Sequence, residues 1–125
     1  MALEPGLSGR AQRTVVAADT AEFLHSGQVP VLATPVVLAL CEEACVEAVA
    51  NRLQPGETTV GRRMKVDHVA AVPVGGVVTA EATLDQVVAR KLTFTVKVND
   101  DRGLVAAAQV LRVVVNRQRF LDGLN

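Results

Sequence analysis

Residues 34–53 read TPVVLALCEEACVEAVANRL, and the architecture of the chain follows from that run. It is the one long helical pattern here, and it is apolar almost all the way round. Thr34 is placed as an N-cap, its side-chain oxygen within reach of a first-turn N–H. Pro35 then takes the first helical position, where a missing N–H costs nothing. Pro55-Gly56 ends the run. A surface helix carries a polar half. This one has only Glu43, Glu47 and Asn51 as a polar strip, spaced four apart. Such a helix needs cover on more than one side.

Glu42 breaks the pattern. At about 100° per residue it points with Leu38, Cys45, Val46, Val49 and Leu53 rather than with Glu43 and Glu47. A carboxylate in that company is expected to be desolvated, and misplaced acids of that kind cluster at functional sites. A paired structural glutamate, or a helix rotated so that Glu42 reaches water, is the plainer explanation. Cys41 and Cys45 lie four apart on one face. Their parallel Cβ vectors do not suit a disulfide. They read as two small buried hydrophobes in a reducing compartment. A metal site would need His68 and further ligands, and the two-hydrophobe reading is the simpler one.

Outward from the helix, the flanks are strands. Residues 1–9 form a loose start, and a short strand is expected at 14–17. A helical turn fits 20–25 before Gly27 and Pro30, with His25 on a loop. After Pro55-Gly56, residues 58–66 read as a strand with Val60, Arg62, Met64 and Val66 on one side, and Asp67-His68 at its end. Val72-Pro73-Val74-Gly75-Gly76 is a connection. Residues 77–88 are a long Val- and Thr-rich strand. Residues 92–98 alternate cleanly, with Leu92, Phe94, Val96 and Val98 on one side. Residues 99–103 are a turn cluster, 104–116 a last long strand, and 117–125 a polar tail. Short turns favour antiparallel neighbours. The expected fold is therefore α+β: a curved antiparallel sheet wrapped around one long central helix, the hotdog arrangement, over a single domain of residues 1–125. Its edge strands call for a second copy, so a homodimer is expected.

Composition narrows the function. The 125 residues suit one domain, and half of them are hydrophobic. Thirteen basic residues balance thirteen acidic ones, which argues against a nucleic-acid partner. With no Trp, no Tyr and three Phe, there is no stacking platform for single strands. No leader-like h-region and no membrane-length apolar run are visible, so a cytoplasmic protein without a membrane partner is expected.

Four more positions carry candidate chemistry. Thr34 is explained by capping alone. His68 ends a strand; it is either a satisfied imidazole or a general acid/base. Arg112 lies in a strand of Val, Leu, Ala and Gln, where a guanidinium must find water or an anion. Glu42 or a bound ligand could be that anion. Gly61 inside a strand marks a bulge or a close approach of a ligand. A carboxylate, an imidazole, a hydroxyl and a free N–H together suit hydrolysis of an acyl group.

Those residues also resemble a family. Ala33-Thr34, Glu42-Glu43-Ala44-Cys45-Val46 and Leu53-Gln54-Pro55-Gly56-Glu57 are similar to the helix region of the fluoroacetyl-CoA thioesterases of hotdog fold. Val60-Gly61, His68 seven residues after Gly61, Pro73, Gly75 and Arg112 continue the similarity, which covers residues 29–115 without a gap between Thr34, Glu42, His68 and Arg112. The resemblance implies a homodimer that hydrolyses small acyl-CoA thioesters. Thr34, Glu42 and His68 would be catalytic, Glu42 as nucleophile or general base, and Gly61 and Arg112 would contact substrate. No metal or redox cofactor is implied. The family's lid phenylalanines fall here on His25 and Gln28, so the resemblance implies a more polar lid and does not carry fluoroacetyl specificity with it. Two alternatives keep the fold and change the function: a non-catalytic acyl-CoA or small-ligand binder, and a hydratase or dehydratase.

Overall fold

A computed structural model describes residues 2–124; Met1, in the loose start, and Asn125, in the polar tail, lie outside the described residues. Five strands form one antiparallel sheet: β1 (Ser8–Thr14), β2 (Glu57–His68), β3 (Val77–Val88), β4 (Lys91–Asp100) and β5 (Gly103–Asn116). Their order across the sheet is β1-β3-β4-β5-β2, so β1 and β2 are the edges. One helix, α1 (Thr34–Val49), packs against the sheet. A short α2 (Arg117–Asp122) closes the chain, its first turn capped by the Asn116 side chain, which accepts from the Arg119 N–H.

The core is the contact between α1 and one face of the sheet. Val37, Leu40, Cys41, Ala44, Cys45, Ala48 and Val49 are the buried residues of the helix. Every second residue of three strands meets them: Val78, Ala80, Ala82 and Leu84; Leu92, Phe94, Val96 and Val98; Ala106, Ala108 and Val110. The small residues let the helix lie close. At Gly9 the approach of β1 to Ala44 and Ala48 is so tight that a Cβ would strike helix backbone.

The structure changes four details of the sequence reading. The first strand spans Ser8–Thr14, not 14–17, because residues 17–19 form a 3-10 turn in which Asp19 Oδ2 accepts the Val16 N–H. The helix ends at Val49, four residues early, as the Ala50 N–H turns to Glu47 O and the last turn tightens. The capping position belongs to Ala33, which makes no side-chain cap; Thr34 is already helical. The fourth change is in β2. Its pairing with β5 shifts between Gly61 and Arg63, leaving Arg62 as an extra, unpaired residue. Val60 and Arg62 therefore do not share a face with Met64 and Val66. The row on the helix side runs Thr59, Gly61, then Met64, Val66 and His68.

Candidate functional site

Arg112 occupies an inward position of β5, between Val110 and Val114, and only 6% of it is exposed. A guanidinium there needs acceptors, and the structure supplies three. Arg112 Nε donates to Thr59 Oγ1 at 3.0 Å, Nη2 donates to the Thr59 carbonyl at 3.0 Å, and Nη1 donates to Glu42 Oε2 at 2.8 Å. Charge-assisted bonds of this kind fix both partners. Gly61 stands opposite Arg112 on β2, and a Cβ there would collide with Glu42 Oε2. The glycine is required by close approach, but what approaches is the protein's own carboxylate. The expected desolvation of Glu42 is corrected: its side chain is 39% exposed, at the margin of the buried face. Glu42 reaches solvent on one side while Arg112 holds it on the other.

Thr34 and His68 form a second polar pair. With Ala33 in the capping position, the Thr34 hydroxyl is free to bond elsewhere, and Oγ1 lies 2.8 Å from His68 Nδ1. Nε2 of His68 is buried and has no partner among the described residues. Such an atom is costly to leave unsatisfied and marks a place where a ligand group is wanted. In one tautomer Nε2 donates and in the other it accepts. Both residues line a cavity of about 320 Å³, together with Ser26, Gly27, Val29 and Leu32. His25 and Gln28 are the positions expected to make the lid more polar. Both side chains are exposed and absent from the lining, where the small Ser26 and Gly27 sit.

The two pairs lie apart within one chain. Thr34 and Glu42 are separated by eight helical residues, about 12 Å of rise. Gly61 and His68 are separated along β2 by about 20 Å. No hydrogen bond joins Glu42 to Thr34 or His68 among the described residues. The sequence reading chose all four of these residues and Arg112, but it missed Thr59. Threonine is ordinary in a strand; the available signal was that an inward Arg112 requires neutral acceptors from its neighbours.

The remaining candidates are quieter. Cys41 and Cys45 are buried and unbridged. Burial pushes their thiols up to about 11 and about 12, the Arg112 charge offsetting only part of the rise at Cys45. No cluster of three metal-ligating side chains occurs among the described residues, and no described helix is long and apolar enough to cross a membrane.

The sequence profile of the fluoroacetyl-CoA-specific thioesterases matches residues 15–118. The chain belongs to that family. It is 37% identical over 90 residues to the fluoroacetyl-CoA thioesterase of Streptantibioticus cattleyicolor, a match spanning 72% of this chain and 65% of that enzyme, less than two thirds of its length. Among solved structures, a mutant of the fluoroacetyl-CoA-specific thioesterase FlK in complex with fluoroacetate and CoA superposes with a TM-score of 0.88 at 30% identity, covering 94% of this chain and 99% of the other. A hot-dog-like protein from Thermanaerovibrio acidaminovorans gives 0.89 at 26% identity, covering 98% and 90%. Membership of the thioesterase family and the wrapped helix thus agree on the hotdog fold.

Proposed function

We propose that this chain hydrolyses a small acyl-CoA thioester, with Thr34, Glu42 and His68 as the reacting set and Gly61 and Arg112 beside the substrate. The observation that carries the reading is the half-engaged carboxylate. Arg112 grips Oε2 of Glu42 at 2.8 Å, while Oε1 has no hydrogen-bond partner among the described residues. Oε1 either attacks the thioester carbonyl, releasing the CoA thiolate and leaving an anhydride for water to open, or takes the proton of a water that attacks directly. His68, oriented by Thr34, exchanges a proton with the departing sulfur or with water through Nε2. Neither route calls for a metal or redox group. The relatives' fluoroacetyl preference is not part of the proposal, because His25 and Gln28 stand where the resemblance puts the family's lid phenylalanines.

A homodimer completes this reading. β2 is a free edge. With Arg62 bulged out of the ladder, the midpoint between Gly61 and His68 is Lys65, three paired positions from each. Antiparallel pairing of β2 with its own copy about that midpoint sets Gly61, and Glu42 with it, opposite the partner's His68. The exposed Val46, one turn beyond Glu42, and Val69, just past β2, would gain cover. Residues 1–125 then act as one domain of a dimer, and the two unbridged cysteines suit the reducing cytoplasm.

The test is thiol release from a panel of short acyl-CoAs, read with a thiol reagent. Release well above background is expected for at least one acyl group. Silence across the panel would reject hydrolysis in favour of binding alone, and a change in enoyl-thioester absorbance without thiol release would indicate a hydratase.

A further inference from the structure

We infer that Thr59 is a positioning residue for the reaction, acting on Glu42 through Arg112; the inference rests on the proposed role of Glu42. Arg112 has one arm on Glu42 and two contacts on Thr59, the hydroxyl at 3.0 Å from Nε and the carbonyl at 3.0 Å from Nη2. Thr59 is 8% exposed, so water does not replace these contacts readily. The two Thr59 acceptors face the Nε and Nη2 hydrogens of the guanidinium plane. They set its rotation, and Nη1 can then point only where Glu42 Oε2 lies. Without the hydroxyl, one anchor remains, and the plane can turn about it. Glu42 would follow, since its carboxylate lies in the space left by Gly61 and Arg112 is its one hydrogen-bond partner among the described residues. Thr59 and Gly61 sit on the same face of β2, just before the bulge, so one short segment both anchors the arginine and makes room for the acid.

Thr59→Val keeps the shape and the carbonyl but deletes the hydroxyl; Thr59→Ser keeps the hydroxyl. With the best acyl-CoA of the panel, Thr59→Val should lower kcat by roughly tenfold or more with KM within about twofold, since misplacing a reacting group slows the chemical step. Thr59→Ser should restore kcat to near wild type. A purely structural role would lower the melting temperature of Thr59→Val and leave the kcat of the folded fraction unchanged, which would overturn the inference. Should Thr59→Val fail to fold, Thr59→Ala is read by the same criteria. A second readout needs no turnover: the Arg112 Nε–H signal in nitrogen-15 spectra. It should be protected from exchange in wild type and Thr59→Ser and lose protection in Thr59→Val. If no acyl-CoA is cleaved, hydrolysis fails while this signal still reports the anchor; an unchanged signal in Thr59→Val would reject the anchor itself.

Discussion

Gly61 faces Arg112 across the β2–β5 pair, and the volume that a side chain at Gly61 would fill is taken by the Glu42 carboxylate. Two strands and the helix therefore meet at one acid. Each element contributes one thing: the helix brings the carboxylate, β5 the cation, and β2 the gap between them.

Replacing Glu42 by Gln should reduce turnover by roughly a hundredfold or more, the scale of a lost general base or nucleophile. The amide oxygen can still accept from Arg112, so the stability cost should stay within about 2 kcal/mol. Urea unfolding alongside the thiol-release assay checks both halves. Normal turnover in a folded Glu42→Gln protein would make the glutamate structural.

A methyl group at Gly61 should act on the same acid from the other side. Gly61→Ala puts a Cβ where Glu42 Oε2 now sits. The carboxylate is the end of a flexible side chain and can swing away, so the fold should survive. The expected loss is in kcat, by roughly ten- to a hundredfold, because the reacting group is displaced. Steady-state kinetics on the purified variant would show it, and wild-type kcat would place the reaction away from Glu42.

How much of this was legible in the sequence depended on which side of the sheet a residue faces. β3 and β4 carry inward rows of apolar residues and β5 a row interrupted by Arg112, and their patterns were read nearly to the residue. β1 buries Ala11 as its one well-covered residue, so nothing in its alternation marks a strand. Glu42 stood out on the helix because its neighbours were apolar, although it proved to lie at the margin of the buried face. The Thr34 hydroxyl was read as a cap, since capping is a local rule; its real partner is thirty-four residues away. Thr59 gave no local signal. Its role appears only once the register sets β2 beside Arg112.

Mixing should reveal whether the site spans two chains. Glu42→Gln and His68→Ala dimers are each expected to be nearly inactive. Exchanged into heterodimers, they should regain activity, because one of the two sites would then combine an intact Glu42 with the partner's intact His68. Tagged copies purified after refolding together make the measurement. No recovery in a verified heterodimer would put both residues of a site on one chain.

Acid should weaken the segment that leads into the helix. Asp19 is buried and accepts from Arg13 Nε and Nη2 at 3.0 and 2.7 Å and from the Val16 N–H at 3.0 Å. The Arg13 hydrogen bonds hold its carboxyl below the unfolded value of 3.8, against the opposing effect of burial. A depressed folded value means that this stability is fully present above 3.8 and is lost as pH falls through the folded value. Asp19→Asn should therefore cost roughly 1–2 kcal/mol at pH 7, discounted for the partly exposed Arg13. The gap to wild type should narrow in urea melts at pH 3. A gap that stays constant with pH would show that the ion pair does not contribute.

The extra residue at Arg62 makes the chain's arithmetic unusual. In a regular strand two residues seven apart look in opposite directions, yet Gly61 and His68 both look at the helix. Deleting Arg62 would leave Gly61 and His68 six apart in a regular strand, both still facing the helix, so it is the bulge that reconciles the odd spacing with a shared face. Odd spacing between those two positions is thus a parity mark of the bulge: the same spacing in an unbulged strand would turn His68 away from the helix.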